Sequence, residues 1–394
     1  MSTRLEDFLD RFGGLIFFGL VLIIGTLAKL VMFPVGNIDL DYCFVPWYDY
    51  IVEHGRFFAL KDSFANYNAP YLYLLTLATY LPVAKYTAIK LIVLLFDFVA
   101  ALAAYKIIGL KYRSQVIKMV AFLAVFLAPT VLVNSAYWGQ CDIIYTSFLL
   151  WSVYFAFKRK GMLAMIAFGL AFSFKMQALF LLPLVGIFLI HKRIKFWHLI
   201  YIPMIFIILL LPNLFLGRSL ASLLSIYWEQ WVIAQGEGVL TANCATIYQL
   251  FDPGVYLEIA AAAKLIALIA CLTIVFFAFK IRKSLDEKLI LKLATFNALF
   301  VVFLLPNMHE RYFFMADILS IPMAFYIPRL FYMPIVIGFS SLFSYLPFLR
   351  REPLVDLKIL AVANAVMIIL LAWELGKDVA KHWAGLDNTE TLKA

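Results

Sequence analysis

Charged residues are scarce in this sequence. Asp, Glu, Lys and Arg make up 14% of the 394 residues, whereas hydrophobic residues make up 65% and aromatic residues 17%. A soluble domain normally has an apolar fraction of roughly 45 to 50%. The composition therefore excludes a soluble globular domain and predicts an all-α, polytopic integral membrane protein, with residues 1–394 forming a single membrane domain.

Several catalytic signatures are also missing. The sequence has no Walker motif, no GxGxxG leading into a helix, no HExxH motif and no Ser/His/Asp order typical of a hydrolase, so nucleotide-driven chemistry is poorly supported. The four cysteines (Cys43, Cys141, Cys244 and Cys271) are widely separated, with no CxxC and no histidine at metal-binding spacing. We expect no metal ion and no cofactor. A disulfide among the first three cysteines stays open, since sequence cannot assign it.

We also expect no cleavable signal peptide, because the first apolar run is about 20 residues long and has no small-residue cleavage site. It should remain as a membrane anchor. The formal charge of +9 does not indicate a nucleic-acid partner. The basic residues occur in short clusters between apolar runs, as at Lys158–Lys160, Lys192–Lys195 and Lys280–Lys288, and such clusters report membrane topology.

The apolar runs predict about twelve transmembrane helices, since roughly 20 residues cross the hydrocarbon core. This topology places the basic clusters on the cytoplasmic side only if the apolar stretch 70–82 does not cross. We therefore predict an interfacial helix there, which its length of about 13 residues permits. The predicted spans are 14–33, 88–108, 118–134, 141–157, 161–174, 176–190, 198–214, 257–279, 288–305, 313–326, 331–347 and 356–375.

Four polar segments then face away from the cytoplasm. They are a first outer loop at 34–86 with interfacial helices, a short segment at 134–142, a long outer loop at 216–256 and a short segment at 307–312. The chemistry-bearing residues converge on these segments. The long loop contains an amphipathic stretch around Trp228 and Glu229, an aromatic and an acid that suit carbohydrate binding but also occur in ordinary interfacial helices.

The first outer loop opens with the acid cluster IDLDYCFVPWYDYIVEH at 38–54. Asp41 is the candidate general base, placed where lipid-borne substrates would arrive, and Asp39 is the reserve. The plainer interpretation is that Asp39 and Asp49 are solvated and that Asp41 caps a helix starting near Val45. The segment NSAYWGQCD offers Trp138 as an aromatic platform and Gln140 as an amide for a sugar, with Asp142 at the start of the next helix; interfacial and capping roles are equally compatible with it.

Two cationic positions stand out. Lys175, followed by Gln177, lies inside a hydrophobic stretch, where an ammonium costs about 2.5 to 3.5 kcal/mol on the permissive insertion scale. An anionic phosphate would satisfy it, although snorkelling to the surface would also do so. In NMHERYFF, His309, Glu310 and Arg311 stand together between apolar runs. Arg is a two-pronged donor for phosphate, while a self-neutralising pair of Glu310 with Arg311 is the alternative.

Five motifs, in this order, resemble the GT-C glycosyltransferases: DYCFVPWYDYI, YNAPYLYLL, YWGQCD, FKMQALFLLPL and MHERYFF. The chain is particularly similar to the branch related to the GPI mannosyltransferase that adds the second mannose, and to its bacterial relatives. The resemblance covers nearly the whole chain from Asp41 to Phe314. It implies a polyprenyl-phosphate-linked sugar donor, a glycan or glycolipid acceptor, and inverting transfer of a mannose or other hexose, with metal-independent chemistry favoured.

The resemblance also assigns roles to residues. Asp41 matches the catalytic base. The donor phosphate would be bound by Lys175, Gln177, His309 and Arg311. Trp138, Gln140 and Asp142 match the second-loop motif. Together with these three, we predict sugar or acceptor binding by Asp39, Trp47, Tyr67, Trp228, Glu229, Glu310 and Tyr312.

Two other functions compete. In a transporter or flippase of a lipid-linked sugar, Lys175 and the segment around Arg311 would serve as substrate or proton-coupling sites. A polysaccharide ligase or polymerase would use a glycan diphosphate donor instead. We expect the protein to lie in a bacterial inner membrane with its site facing the periplasm or exterior, since the outer loops lack Asn-x-Ser/Thr sequons; in a eukaryote the endoplasmic reticulum would be the site.

Overall fold

A computed structural model describes residues 2–236, 238–280 and 286–383 of the chain. Arg282 and Lys283, which belong to one of the predicted basic clusters, lie outside the described residues. Helices dominate the described part and confirm the all-α prediction. In chain order they are α1 (Ser2–Met32), α2 (Val45–Glu53), α3 (Ala69–Ala78), α4 (Lys85–Lys111), α5 (Gln115–Phe126), α6 (Pro129–Val131), α7 (Asp142–Phe157), α8 (Gly161–Phe174), α9 (Leu182–Ile190), α10 (Tyr201–Phe215), α11 (Leu220–Gly236), α12 (Tyr256–Lys280), α13 (Glu287–Leu304), α14 (Phe314–Tyr326), α15 (Tyr332–Arg350) and α16 (Leu357–Trp383).

Each of the twelve predicted spans coincides largely with helical residues. Among the described residues, 6 helices are long and apolar enough to cross a membrane, or up to 7 if the bent pair of α5 with 129–138 is one span. Others are apolar but only 10–17 residues long, among them α7, α8 and α14. The long apolar helices indicate an integral membrane protein, and the number of twelve spans stays a prediction.

α4 is the central helix of the bundle. In its most apolar stretch 61% of the residues are buried, against 11% in α1 and 22% in α12. α1 and α12 instead expose large aliphatic side chains such as Ile24 and Leu272. Such uniformly apolar, exposed faces suit contact with lipid, while α4 packs against α5 and α7.

A proline bends the third long apolar segment. α5 ends at Phe126, and α6 begins at Pro129 and continues as a π-helical turn from Leu132 to Trp138, with a bend of 41° between the two parts. Proline has no backbone N–H to donate and disfavours helical conformation in the residue before it. The bend turns residues 132–138, expected to lie partly in a loop, into helical structure buried inside the bundle.

α3 corresponds to the predicted interfacial helix. Its ten residues extend about 15 Å, roughly half of the hydrocarbon thickness. Just before it, the Asn66 carbonyl accepts a hydrogen bond from Gln230 of the long loop, and just after it Arg56 lies over the Tyr80 ring at 4.4 Å. The segment before α3 therefore contacts the long outer loop, and the segment after α3 contacts another part of the first outer loop.

The polar contacts divide the bundle into two ends. At one end, Arg193 donates to the Phe157 carbonyl at 3.3 Å and to Glu287 at 3.0 Å, while Lys111 donates to the Tyr326 carbonyl at 2.7 Å. This end carries several of the predicted basic clusters. The other end, called the site end below, contains Asp39, Asp142, Lys175 and Arg311.

The long loop is tied to the site end through backbone pairing. β1 (Thr241–Ala242) lies parallel to β2 (Met308–His309). Asn307, with φ of 62°, donates its backbone N–H to the Leu240 carbonyl at 2.9 Å and its side-chain amide to the Val239 carbonyl at 2.8 Å. Asn tolerates this left-handed conformation better than most residues. The loop thereby holds the segment that carries His309, Glu310 and Arg311.

Candidate functional site

Asp142 is the centre of the site. It is fully buried at the first residue of α7, where a negative charge is favoured by the helix dipole. One carboxylate oxygen accepts a hydrogen bond from Lys175. The other accepts from the Asn134 amide at 2.9 Å and lies 3.5 Å from the Arg311 Nε. A single acid therefore holds both predicted phosphate-binding cations in place.

Arg311 is anchored on three sides. Its Nη1 donates to Glu310 at 2.9 Å, its Nε faces Asp142, and its guanidinium lies 5.7 Å from the centre of the Trp138 ring. Fixed in this way, the guanidinium loses little side-chain entropy when a ligand arrives. The predicted self-neutralising pair of Glu310 with Arg311 exists, but it is buried and joined to the Asp142 ion pair.

Asp39 reaches the same region through a tight turn. Gly139, with φ of +79°, adopts a left-handed conformation that favours glycine, and an added Cβ would lie 3.1 Å from Leu40. The turn brings the Gln140 side-chain amide to Asp39, which also accepts a hydrogen bond from the Trp138 indole at 2.8 Å. The Trp138 side chain thus contacts both Asp39, to which its indole N–H donates, and the Arg311 guanidinium.

Asp41 points elsewhere. Asp39 immediately precedes a π-helical turn at Leu40–Phe44 and Asp41 lies within it, and the two side chains point to different sides of this turn. Asp41 is exposed and accepts a hydrogen bond from the Tyr86 hydroxyl at the start of α4. The structure therefore brings Asp39, and not Asp41, to the ion-pair cluster.

A cavity of about 510 Å³ adjoins the cluster. Lys175, Gln177, His309, Arg311 and Tyr312 line its polar part. Apolar side chains from three elements line the rest: Leu179 and Phe180 of the 3-10 turn after α8, Leu268 and Cys271 of α12, and Val301 of α13. The cavity thus joins a cationic head region to an apolar space beside α12, a helix with a lipid-facing surface.

The segment beside Arg311 has unusual electrostatics. Burial, together with the nearby charges of Arg311 and Lys175, lowers the pKa of His309 to about 4. His309 is therefore neutral at neutral pH and contributes no positive charge to the site. Burial also raises the pKa of Glu310, although Arg311 opposes this shift.

The predicted aromatic residues occupy different depths. Tyr67 and Tyr312 line the cavity. Trp47 lies behind Tyr67, with ring centroids 5.0 Å apart. Trp138 is fully buried and stacks on Phe348 at 5.1 Å. Its indole N–H holds Asp39, so in this structure Trp138 positions an acid and does not present an open face to a sugar.

Trp228 and Glu229 lie apart from the cavity. Trp228 is 67% exposed, and Glu229 accepts a hydrogen bond from Ser225 on its own helix. Their neighbours Gln230 and Trp231 line the cavity instead. Sequence alone does not show which face of α11 points towards the cavity. The packing of Tyr227 against α8 sets the orientation of this helix.

Some site residues were not predicted. Asn134 donates to Asp142, and Asn66 and Lys264 line the cavity. Asn134 could have been found as an amide beside a predicted outer segment; Lys264 could have been found as a lone cation inside the apolar run of α12. Asn66 carries no distinguishing sequence signal.

A second buried ion pair was also missed. Lys29 of α1 donates to Asp97 of α4 at 2.5 Å, and the two residues are 0% and 1% exposed. Ser135 donates to the other Asp97 oxygen at 2.8 Å. Each residue is a single charge in a long apolar run, which is a signal for a function or a partner.

Within the described ranges, no group of three or more His, Cys, Asp or Glu side chains is arranged to hold a metal ion. All four cysteines are free thiols, so the disulfide left open by the sequence is not formed. Metal-independent chemistry stays a prediction.

Comparison with protein-family models gives no match for this chain, and comparison with curated proteins gives no significant similarity. The GT-C resemblance therefore rests on the five motifs alone.

Proposed function

We propose that this protein is a membrane glycosyltransferase of the GT-C type, which transfers a hexose such as mannose from a polyprenyl-phosphate donor to a glycan or glycolipid hydroxyl with inversion. The observation that carries the proposal is the cavity in which a cationic head region continues into an apolar space. A lipid phosphate has this same division between an anionic head and a hydrocarbon chain. The predicted outer-facing site is part of the proposal.

The charges of the site suit the chemistry of the donor. A polyprenyl-phosphate sugar is a phosphodiester with one negative charge, and its leaving group is a phosphate monoester that gains a second charge. Lys175 and Arg311 would stabilise that growing charge in a poorly hydrated cavity. Asp142 holds both cations before the donor arrives, so little rearrangement is needed during the reaction.

Asp39 is the favoured base. It is half-buried and accepts hydrogen bonds from Trp138 and Gln140. The Trp138 ring also contacts the Arg311 guanidinium. In the proposed step the acceptor oxygen forms a bond to the anomeric carbon, the bond from that carbon to the phosphate oxygen breaks, and the acceptor proton moves to Asp39. The lipid phosphate leaves with the electron pair, and the anomeric centre inverts.

Purified protein in detergent, incubated with a panel of polyprenyl-phosphate sugars and glycolipid acceptors, tests the proposal directly. We expect release of polyprenyl phosphate and a glycoside of inverted configuration, identified by linkage determination. A transporter would leave every donor intact. A polysaccharide ligase or polymerase would use only a diphosphate-linked glycan. Including that donor in the panel therefore distinguishes such an enzyme from the proposed glycosyltransferase.

A matched pair of variants tests the base. We expect Asp39→Asn to lower turnover by about 10²- to 10⁴-fold, the range typical of general base catalysis, and Asp41→Asn to stay within about twofold of the unmodified protein. The reverse result would assign the base to Asp41. Normal turnover in both variants would exclude a base in this loop.

A further inference from the structure

Two π-helical turns meet at the site end, and one side chain joins them. The first π-turn, Leu40–Phe44, follows Asp39, and the second π-turn, Leu132–Trp138, ends just before Gly139. Single π-helical turns are rare and often occur at functional sites. Asn37, which lies just outside the acid cluster at 38–54, makes hydrogen bonds to both turns.

Asn37 uses both ends of its amide. Its Oδ1 accepts a hydrogen bond from the backbone N–H of Leu40, the first residue of the first π-turn, at 3.2 Å. Its Nδ2 donates to the Trp138 carbonyl, at the end of the second π-turn, at 3.0 Å. The last carbonyls of a helical segment have no partner within that segment. Because an Asn side chain has both an acceptor and a donor, Asn37 can satisfy the start of one turn and the end of the other.

The second π-turn is itself fixed to the buried charges of the bundle. Three of its side chains donate hydrogen bonds to three different acids: Asn134 to Asp142 at 2.9 Å, Ser135 to Asp97 at 2.8 Å and Trp138 to Asp39 at 2.8 Å. Asp142 in turn pairs with Lys175 and lies 3.5 Å from the Arg311 Nε. The second π-turn therefore has a defined position relative to both cations of the proposed donor site.

A buried lysine holds the chain just before Asn37. Lys90 of α4 is 0% exposed, and its ammonium donates to the Met32 carbonyl at 3.0 Å and to the Val35 carbonyl at 2.7 Å. Met32 is the last residue of α1, where a cation is favoured by the helix dipole. The stem of Lys90 also lies beside the second π-turn, since a Cβ built on Gly139 would lie 3.4 Å from the Lys90 Cγ. Lys90 thus contacts the chain on both sides of the Asn37 bridge.

The bridge matters because the base and the cations come from distant parts of the chain. A general base must lie within hydrogen-bond reach of the acceptor proton while the donor phosphate is held in place. Trp138 and Gln140 hold the Asp39 carboxylate, whereas Asn37 holds the backbone that carries it. A displacement of about 1 Å in an active site can cost roughly 10²-fold in rate.

We propose that Asn37 is a positioning residue, which joins the two π-turns and thereby sets Asp39 at a fixed distance from Lys175 and Arg311. This inference rests on the proposed function, with Asp39 as the base. The plainer alternative is that Asn37 satisfies backbone groups and contributes to stability alone, as Asn does at many helix starts.

Two variants of Asn37 test its effect on turnover. Asn37→Asp has the same shape and keeps the acceptor for Leu40, but its ionised carboxylate cannot donate to the Trp138 carbonyl. Asn37→Ala removes both hydrogen bonds without adding a charge. We expect each to lower kcat about 10- to 100-fold, with the KM for the polyprenyl-phosphate sugar within about twofold, because Lys175 and Arg311 are unchanged. A normal kcat in both variants would leave the stabilising role alone and overturn the proposal.

A double variant tests whether Asn37 acts through Asp39. If it does, adding Asn37→Ala to Asp39→Asn should lower the residual turnover by less than about twofold, since residues that act as a unit are not additive. A further loss as large as that of Asn37→Ala alone would mean that Asn37 acts on another group. Ser114→Ala is the control, because Ser114 accepts a hydrogen bond from the Ile117 N–H at the start of α5, away from the site; its kcat should be normal.

Amide hydrogen exchange of the full-length protein in detergent measures the bridge without any reaction. We expect Asn37→Ala to accelerate exchange about fivefold in peptides of both π-turns, as for the loss of one hydrogen bond, and Ser114→Ala to leave these peptides unchanged. Acceleration in the first π-turn alone would show that Asn37 does not join the turns and would overturn the proposal. Absence of sugar transfer in the unmodified protein would instead overturn the proposed function, whatever the exchange result.

Discussion

The buried ion pairs Lys29–Asp97 and Lys175–Asp142 look alike but have different surroundings. Lys29 with Asp97 is sealed: both residues are almost fully buried, and the Phe126 ring covers the ammonium at 4.1 Å. Asp142 is equally buried, but its partners Lys175 and Arg311 line a cavity. Charge inside an apolar bundle is therefore not by itself a sign of a ligand site.

The two pairs differ in whether a ligand can reach the cation. The Lys29 ammonium is enclosed by Asp97 and the Phe126 ring, whereas the Arg311 side chain is 16% exposed and lines a space of ligand size. The sealed pair joins α1, α4 and the turn at 132–138, and this turn also carries Trp138. We infer that the sealed pair of Lys29 and Asp97 stabilises the fold. We also infer that the open cluster, formed by Asp142, Lys175 and Arg311, binds a ligand.

The largest expected effect breaks the sealed pair. Lys29→Met leaves Asp97 as an unpaired buried charge, which costs about 3 to 5 kcal/mol of stability. Unfolding in detergent, followed by intrinsic fluorescence, measures this loss. The double variant Lys29→Met with Asp97→Leu should recover most of it, since an apolar pair leaves no buried charge. Equal stability of the single variant and the unmodified protein would contradict a structural role.

Breaking the open cluster should affect turnover more than stability. Lys175→Met removes one of two cations from the proposed leaving group, and we expect turnover to fall about 10²- to 10³-fold, as when one donor to a developing charge is lost. The stability loss should be smaller than for Lys29→Met, because Asn134 and Arg311 still contact Asp142. Lys29→Met is the matched control: its turnover per folded molecule should be nearly normal.

A milder change tests Trp138, which lies on the turn joined to the sealed pair and donates to Asp39. Trp138→Phe deletes the indole donor to Asp39 but leaves the Gln140 contact, and we expect turnover to fall roughly tenfold with about 1 kcal/mol of lost stability. Trp151→Phe is the control, since Trp151 donates to the Val99 carbonyl at 3.2 Å away from the site. Similar turnover in both variants would show that Trp138 does not position the base.

A pH series tests the burial of His309 in the open cluster. Its folded pKa of about 4 lies below its ordinary value of 6.5, so below pH 6.5 the unfolded chain binds a proton that the folded chain does not. The stability contribution is fully present above pH 6.5 and is lost as pH falls towards 4.

Thermal unfolding of His309→Asn and of the unmodified protein should therefore converge or cross between pH 6.5 and 4, with the unmodified protein losing more stability. Parallel curves over this range would mean that His309 titrates normally and is not desolvated.

The smallest expected effect is that of a chelator. Metal-independent transfer is part of the proposal, and we expect EDTA to change the turnover of the purified protein by less than about twofold. Activity that disappears with EDTA and returns with Mg²⁺ or Mn²⁺ would instead require an ion beside the lipid phosphate.

Much of the fold could be predicted because its signals are local. Long apolar runs give helices in a bilayer, and the predicted interfacial stretch 70–82 contains a helix too short to cross. The bend before Pro129 was available from sequence in principle, since proline interrupts helices locally. The helical structure of 135–138, beyond the predicted span 118–134, was not expected, because it depends on packing around Asp97 and Gly139.

The candidate site was predicted in part. Asp142, Lys175 and Arg311 were all named from sequence, but their common ion-pair cluster was not, because these residues lie in distant segments: at the start of α7, just after α8 and just before α14. Gln230 and Trp231 were passed over for Trp228 and Glu229, since adjacent residues on a helix point about 100° apart and only packing decides which ones face inwards.

By itself, the sequence determined the membrane class, the helices and the presence of costly charges in apolar runs, because hydrophobicity and helix length act over short stretches. Only the tertiary structure decided which charges meet, which acid faces them and which pair is sealed. These outcomes depend on the mutual placement of distant segments. Asp39 and Asp41 are only two residues apart, yet Asp39 contacts Trp138 and Gln140 whereas Asp41 contacts Tyr86.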